Sequence, residues 1–308
     1  MKRRHPVNYR NAKVRREVLV RQRREIWTPE QIESLAKHFR LKPGMKLLDA
    51  GCGFGYAMRT WGRFCMPRGE LTGLDRDKRL LAQAARYCTM EGLDGATRFV
   101  AGDICRMPLE DSTFDMTLAH VVFCHLAEPE KALDEMIRVT RSGGCIAVFD
   151  NAMTGSAGST WNNWRVTTVT ERLLHYEVSL RMTEGRRRMG FGDWSVGCHV
   201  PGWMEARGMK DVGVRTNERV VWIAPPYRSP EQRTACQNTR ERLKERSRFR
   251  LAKSEIDQMR AGGLAKARFD RSRRLHKVAG RAFRRAVRKL TAAFAWSAPF
   301  WCVWGFKP

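Results

Sequence analysis

The chain has 308 residues, of which 43% are hydrophobic, a length and composition that allow one large or two small globular domains with a buried core. Its nine cysteines include no C-x-x-C pair, which argues against a disulfide framework and favours reduced thiols in the cytoplasm. The formal net charge of +26 is far from that of an ordinary globular protein.

The positive charge is concentrated in two segments. Residues 1–26 carry ten Lys and Arg against two acids, and residues 229–295 carry twenty against six, which leaves +4 for the rest of the chain. No apolar stretch follows the basic N-terminus, so no signal peptide is predicted. The most apolar tract, residues 292–306, is shorter than the roughly 20 residues of a spanning helix, so we expect no transmembrane segment.

The first predicted element is a basic N-terminal helical cap over residues 1–40. Thr28 followed by Pro29 is typical of a helix start, because threonine caps the first turn and proline fits its first position. A turn at residues 41–44 then leads into an apolar strand that contains Leu47 and Leu48.

A glycine-rich loop follows this strand. Asp49 ends the strand, and glycines stand at positions 51, 53 and 55 before a helix begins near Tyr56. Glycines allow positive φ and a close approach of the backbone to a ligand, and we expect N–H groups here to face it. A dinucleotide-binding loop has a third glycine where this chain has Tyr56, so that class of site is not predicted.

Two acids follow the next two predicted strands. Residues 70–74 form the second strand, which ends at Asp75, 20 residues past Gly55, where an acid can bind two ribose hydroxyls. A helix over 77–92 and a third strand over 97–100 lead to Gly102-Asp103-Ile104. Alternatively, Asp75 is a helix cap and Asp103 a surface turn residue.

The fourth and fifth strands complete an alternating pattern. Residues 114–119 form a strand that ends at His120, residues 128–141 form a helix stopped by Ser142-Gly143-Gly144, and residues 145–150 form the fifth strand. Strands that alternate with helices predict a parallel sheet with right-handed crossovers.

This ordered set, with D-x-G-C-G-x-G at residues 49–55, resembles the class I S-adenosylmethionine (SAM)-dependent methyltransferases, in particular the small-molecule branch that includes the ubiquinone-biosynthesis-like enzymes. The resemblance implies an α/β, Rossmann-like fold: a seven-stranded, mostly parallel sheet with helices on both faces, an antiparallel last strand and helical insertions. It implies one domain overall. The segments are a SAM-binding half at 41–150, a lid or acceptor-site insertion at 151–200, a helix and sixth strand at 201–228, a basic helical insertion at 229–295 and the final strand at 296–308.

The resemblance also assigns the residues that bind SAM as cofactor. These are Asp49, Gly51, Cys52, Gly53, Asp75, Arg76, Asp103, Ile104 and His120. His120 is in addition a candidate general base, because it leaves the fourth strand at its carboxyl end, although a structural, hydrogen-bonded histidine is equally compatible with the sequence.

The methyl acceptor is assigned to the variable segment 151–200. Its aromatic residues are the substrate candidates, with plain core packing as the alternative: Trp161, Trp164, His175, Tyr176 and Trp194. We expect a helix over residues 160–183 and a glycine-hinged lid after it. Asp193 and His199 are additional acid–base candidates. Cys198-His199 lacks a second ligand pair at zinc spacing, so no metal site is predicted.

The predicted function is methyl transfer to an O, N or C atom of a small-molecule acceptor, with anionic molecules and natural products among the candidates. The alternative is an RNA methyltransferase that grips phosphates through residues 1–26 and 229–295. A third hypothesis is a non-enzymatic scaffold that binds a partner or an anionic membrane surface through a basic helix over residues 275–294. Residues 119–122 lack the N/D-P-P-Y/F corner that grips an adenine amine, which argues against base methylation.

Overall fold

The computed structural model describes residues 26–152, 168–217, 221–245, 253–296 and 300–308. They form two compact units. One, here called the sheet unit, contains the described residues of 26–152, 192–217 and 300–308. The other, here called the helical unit, contains the described residues of 168–191, 221–245 and 253–296.

The strands of the described chain form one large sheet and one two-stranded antiparallel sheet. In chain order they are β1 (Lys46–Ala50), β2 (Glu70–Asp75), β3 (Thr97–Ala101), β4 (Phe114–His120), β5 (Thr140–Asn151), β6 (Lys210–Thr216), β7 (Val221–Ile223), β8 (Phe294–Trp296) and β9 (Phe300–Phe306). The sheet unit holds seven of them in the order β3-β2-β1-β4-β5-β9-β6. Strand β9 is antiparallel to both neighbours and the other pairs are parallel, which confirms the predicted Rossmann-like α/β fold with an antiparallel last strand.

The helices are α1 (Pro29–His38), α2 (Tyr56–Gly62), α3 (Lys78–Met90), α4 (Pro129–Val139), α5 (Val169–Arg188), α6 (Val200–Ala206), α7 (Pro230–Glu245), α8 (Lys253–Ala261) and α9 (Lys266–Arg288). Within the described residues, none of them has both the length and the apolar character that a membrane crossing requires.

Local sequence accounts for the helix starts of the sheet unit. Helix α1 begins as predicted, because Thr28 accepts a hydrogen bond from the Gln31 amide and the Gln31 side chain accepts one from the Thr28 amide. Helix α3 is capped by Asp77, and its residues Leu80, Leu81 and Ala84 are buried. These three positions share one face of the helix, which is the face that it buries.

The fifth strand starts earlier than predicted. The preceding helix ends at Val139 rather than Arg141, and Thr140 already belongs to β5, where it pairs with Phe114. The Thr140 hydroxyl donates a hydrogen bond to the Met136 carbonyl at 2.6 Å. The first residue of β5 thus bonds to a carbonyl group in the last turn of α4. Gly143, with φ of 71°, lies inside β5, so the predicted glycine stop was wrong.

Helix α5 in the helical unit runs past its predicted end at Thr183. It starts with Thr168 as the cap and ends at Arg188; the predicted start at 160–167 lies outside the described residues. The buried Arg186 side chain donates to the Phe191 carbonyl at 2.7 Å, which ties the extended end of the helix to the following chain. Gly190, with φ of 72°, then ends the helix.

Glycines allow α5 and α8 to pack closely. A Cβ added to Gly185 would lie 1.7 Å from the Gln258 carbonyl oxygen, and one added to Gly262 would lie 1.7 Å from the Arg181 oxygen. Leu174, Val178, Met259 and Leu264 form the buried cluster beside this contact, with Phe269 and Leu275 of α9 packed against it. The basic segment 229–295 therefore includes three helices, two of which share a core with α5.

Candidate active site

The glycine loop between β1 and α2 has the backbone geometry that its sequence predicts. Gly51, Gly53 and Gly55 have φ of 81°, 54° and 69°. Gly51 has a second constraint, because an added Cβ would lie 2.7 Å from Cγ2 of Val122, in the loop after β4. The loop sits where the chain order of the sheet reverses between β1 and β4, at the carboxyl ends of the strands, which is where open α/β sheets bind ligands.

The backbone N–H groups of this loop are used within the protein. The Gly51 and Cys52 amides both donate to the Leu74 carbonyl, at 2.7 and 2.9 Å. The Gly53 amide donates to Asp75 Oδ2 at 2.9 Å, and the Gly55 amide donates to the Cys52 carbonyl at 2.8 Å. The expectation that N–H groups of this loop face a ligand does not hold for these four amides, because three of them fasten the loop to the end of β2 and that of Gly55 closes a turn within the loop.

Asp75 is held by two backbone N–H groups at the end of β2. Its Oδ2 accepts from Gly53, and its Oδ1 accepts from the Asp77 amide at 2.8 Å. Burial raises the pKa of Asp75 above its usual value, while the two N–H groups oppose that rise. An ionised carboxylate has about four acceptor positions, so each oxygen retains one for a ligand hydroxyl.

The corner after β3 lies next to this acid. The Gly102 amide donates to the Asp75 carbonyl at 3.2 Å, and Asp103 Oδ1 accepts from the Cys105 amide at 2.9 Å. Asp103 is exposed, whereas Ile104 is buried. Arg76 is exposed beside Asp75. The structure thus brings Asp75, Arg76, Asp103 and Ile104 to neighbouring strand ends, as predicted for a nucleoside site.

Two of the predicted cofactor residues are buried under the loop. Asp49 Oδ2 accepts a hydrogen bond from the Met58 amide at 3.0 Å, which orients the first turn of α2. Cys52 is buried, and its Sγ lies 2.9 Å from the position that a Cβ on Gly73 would take. Both side chains thus support the conformation of the loop from the protein interior.

His120 lies in a group of aromatic rings at the end of β4. Its Nε2 accepts a hydrogen bond from Trp27 Nε1 at 3.1 Å, so the proton of the neutral imidazole is assigned to Nδ1. Its ring centroid lies 5.4 Å from those of Tyr56 and Phe149 and 6.2 Å from that of Trp61. Because the hydrogen bond occupies the Nε2 lone pair, this geometry favours the structural interpretation of His120 over that of a general base.

Two further residues at these strand ends were not singled out by the sequence analysis. Val121 has φ of 58°, a conformation that costs a β-branched residue energy and that concentrates at functional sites. Asp150 is buried at the end of β5, where it accepts from the Cys124 and Asn151 amides at 3.1 and 2.8 Å. Burial raises the pKa of Asp150 to about 6. The sequence did contain a signal for Asp150, because this acid ends a predicted strand. No local feature of the sequence marks Val121.

The additional acid–base candidates make local contacts. Asp193 Oδ1 accepts from the Ser195 amide at 2.7 Å. His199 is exposed, and its ring is stacked on that of Trp203 with centroids 5.7 Å apart. Trp194 packs partly buried against the core of the sheet unit. Among the described residues, no group of three or more His, Cys, Asp or Glu side chains is arranged to hold a metal ion.

The remaining acceptor candidates lie elsewhere in the chain. His175 and Tyr176 are on α5 of the helical unit, where Tyr176 is exposed. Trp161 and Trp164 lie outside the described residues. The assignment of an acceptor site to residues 151–200 therefore stays a prediction.

The donor set of this site fits a cationic nucleoside better than a diphosphate. Four loop amides are already bonded, and the polar side chains at the loop and the next strand ends include the carboxylates of Asp49, Asp75 and Asp103, with the exposed Arg76 beside Asp75. A phosphate needs unused N–H donors, whereas a ribose diol, an exocyclic amine and a sulfonium favour carboxylates and a close backbone.

Comparison with known proteins agrees with this geometry. Residues 48–148 match the family model described as a methyltransferase domain. The chain is 32% identical over 136 residues to the cycloartenol-C-24-methyltransferase 1 of Oryza sativa subsp. japonica, covering 42% of this chain and 39% of the rice protein. It is 36% identical over 120 residues to the sterol 24-C-methyltransferase ERG6B of Gibberella zeae, covering 39% and 31%. The matched region thus spans about a third to two fifths of the length of these relatives.

Among solved structures, the chain resembles a Bacillus halodurans protein described as a methyltransferase, with a TM-score of 0.51 and 13% identity over 91% of this chain and 99% of that one. At this identity the likeness concerns the fold alone.

Proposed function

We propose that this chain, which carries the SAM-binding domain of the class I SAM-dependent methyltransferases, transfers the SAM methyl group to a carbon atom of a small apolar molecule. The observation that supports SAM as the cofactor is the Gly53–Asp75 hydrogen bond, which places a carboxylate with free acceptor positions beside the glycine loop. The relatives that support the acceptor part are named for C-methylation of sterols.

Five of the predicted cofactor residues contact SAM in this proposal. Asp75 accepts hydrogen bonds from the ribose hydroxyls, and Asp103 with Ile104 forms the adenine corner. Gly51 and Gly53 let the backbone approach the methionine part. When bound, SAM supplies a methyl group already activated on a sulfonium, so the protein mainly has to align the acceptor and exclude water.

A carbon acceptor suits the state of His120. An alkene would attack the methyl carbon with its own π electrons while the C–S bond breaks and its electron pair goes to sulfur, so no base has to act before transfer; the resulting carbocation would then lose a proton to water. Neighbouring aromatic rings such as Tyr56 stabilise a cation by its attraction to their faces. By contrast, activation of a hydroxyl would need the lone pair that Trp27 engages.

The experiment is methyl transfer from isotope-labelled SAM to a panel of acceptors, read by mass spectrometry. The panel contains a sterol with a side-chain double bond, a linear polyene such as squalene, a catechol, an amine and a structured RNA. We expect a C-methylated product from the sterol or polyene, and much less of it with Asp75→Asn when SAM is subsaturating, while the control Asp94→Asn, at an exposed acid away from the site, stays active. Label only in RNA, the catechol or the amine would overturn the acceptor class.

A further inference from the structure

Helix α9 of the helical unit presents a continuous basic stripe. Arg274, Lys277, Arg281, Arg285 and Arg288 follow one another at spacings of three or four residues, and all five are exposed. Residues so spaced share one face of a helix, and this stripe is about 20 Å long.

The cations of this stripe outnumber the acids found beside it among the described side chains. Within the described residues, the ion pairs of α9 lie at its start, where Lys266 pairs with Asp270 and Arg268 pairs with Glu177 of α5. Arg274 lies one turn after Asp270 and its charge helps to lower the pKa of that acid, and no ion pair joins the other four to a carboxylate among the side chains that the structure describes. A row with such an excess of positive charge attracts a polyanionic surface.

The opposite face of α9 is already used for packing. Phe269 and Leu275 pack against the cluster shared with α5 and α8, and Val287 is buried in a second cluster with Ile223 and Tyr227. The basic stripe is therefore held by a folded unit rather than by an isolated amphipathic helix. It is a fixed surface.

The same unit exposes apolar side chains. On α5, Val169, Leu173, Tyr176 and Leu180 recur at helical spacing and are 70%, 61%, 39% and 42% exposed. They lie on a different face from Leu174 and Val178, which pack toward α8. Trp222 of β7 is also 54% exposed, and tryptophan is a residue that favours the membrane–water interface.

We propose that the helical unit is a docking surface for an anionic phospholipid bilayer, with the α9 stripe on the headgroup phosphates and the α5 apolar row in the interface. Exposed aliphatic side chains gain free energy in a bilayer interface, whereas a nucleic acid offers them little. A protein surface that binds RNA would instead combine its cations with aromatic rings on which bases stack. In the described part of α9, the large apolar side chain that is exposed is Val278, which is aliphatic.

The test is sedimentation of the full chain with phosphatidylcholine vesicles that contain or lack phosphatidylserine. We expect binding only to the anionic vesicles. The variant Lys277→Gln/Arg281→Gln/Arg285→Gln should bind them on the order of 100-fold more weakly, from about 1 kcal/mol per cation near the surface.

The matched control is Lys42→Gln/Arg63→Gln/Arg86→Gln, which removes the same charge from exposed positions of the sheet unit. It should bind like the wild type. A second variant, Leu173→Gln/Leu180→Gln, keeps every charge and should lose the fraction of binding that survives high salt. Circular dichroism of each variant checks its fold.

The proposal is overturned if the chain does not bind anionic vesicles, or if the control variant loses as much vesicle binding as the stripe variant. It is also overturned if the stripe variant no longer binds RNA but binds vesicles as the wild type does. None of these readings involves a methyl acceptor, so they are separate from the outcome for the proposed methyl transfer.

Discussion

The Gly53 amide donates a hydrogen bond to Asp75 Oδ2 across 22 residues of sequence, at 2.9 Å. This bond joins the glycine loop after β1 to the acid that ends β2. The loop and the acid therefore form one rigid corner, and a change in either is expected to affect the binding of a nucleoside there.

Asp75→Asn tests the acid of this corner. The amide keeps the size of the side chain but loses the charge and directs an NH₂ group at one backbone N–H. We expect the affinity for SAM to fall by about 1–3 kcal/mol, the cost of losing hydrogen bonds to a charged group. Titration calorimetry measures it, with Asp94→Asn as the control, and equal affinities for Asp75→Asn and the wild type would contradict the assignment.

Gly51→Ala tests the close approach of the loop to Val122. The substitution combines a left-handed φ with a Cβ 2.7 Å from a valine methyl, whereas Gly92 has φ of 70° and open space around it. We expect Gly92→Ala to lower the free energy of unfolding by about 1–2 kcal/mol and Gly51→Ala by a further ~1–3 kcal/mol.

Urea unfolding measures both changes, and the double variant Gly51→Ala/Val122→Ala separates them. Replacing Val122 with alanine should restore the stability that the steric clash removes and leave the loss that is caused by the positive φ at position 51. If Gly51→Ala and Gly92→Ala destabilise equally, the approach to Val122 does not explain why glycine stands at position 51.

Trp27→Phe tests the role of His120. It leaves the buried Nε2 without its donor, so the free energy of unfolding should fall by about 1–3 kcal/mol. In a double-mutant cycle with His120→Leu, the two effects should be strongly non-additive.

A folded His120→Gln variant should lose less methyl transfer than the ~100-fold that removal of a general base produces. A larger loss at unchanged SAM affinity would restore the general-base hypothesis.

Asp150 predicts a pH dependence of stability. Its pKa in the folded protein is about 6, above the ordinary value of 3.8, so the folded state holds this proton more tightly than the unfolded state does. Its contribution to the free energy of unfolding is therefore greatest below about pH 4 and falls as the pH rises through 6, by about 3 kcal/mol in all. In Asp150→Asn this part of the pH dependence should disappear. Thermal melts from pH 4 to 7 measure the difference, and parallel curves for variant and wild type would refute it.

The sheet, and the meeting of the glycine loop with the acids at the strand ends, could be predicted because their signals are local. The D-x-G-C-G-x-G run fixes a strand, a tight loop and a helix within a few residues, and Asp75 and Asp103 each end a readable strand. Parallel strands then bring their carboxyl ends to one edge, so residues far apart in sequence are placed together by topology alone.

The features that were missed depend on tertiary contacts. The Trp27–His120 hydrogen bond joins residues 93 apart, and no spacing rule connects them. The positive φ of Val121 arises where the chain leaves β4 to bond with Phe149, and a valine gives no local hint of it. The early start of β5 followed from the pairing of Thr140 with Phe114, which overrode the usual meaning of Gly143 as a helix stop.

The most direct test of the central claim is a crystal structure of the full chain with S-adenosylhomocysteine. The account predicts the ribose hydroxyls on Asp75, the adenine beside Asp103 and Ile104, and the amino-acid part against the loop at residues 51–55. A nucleoside bound at any other place, or a loop whose approach is blocked by its own side chains, would contradict it.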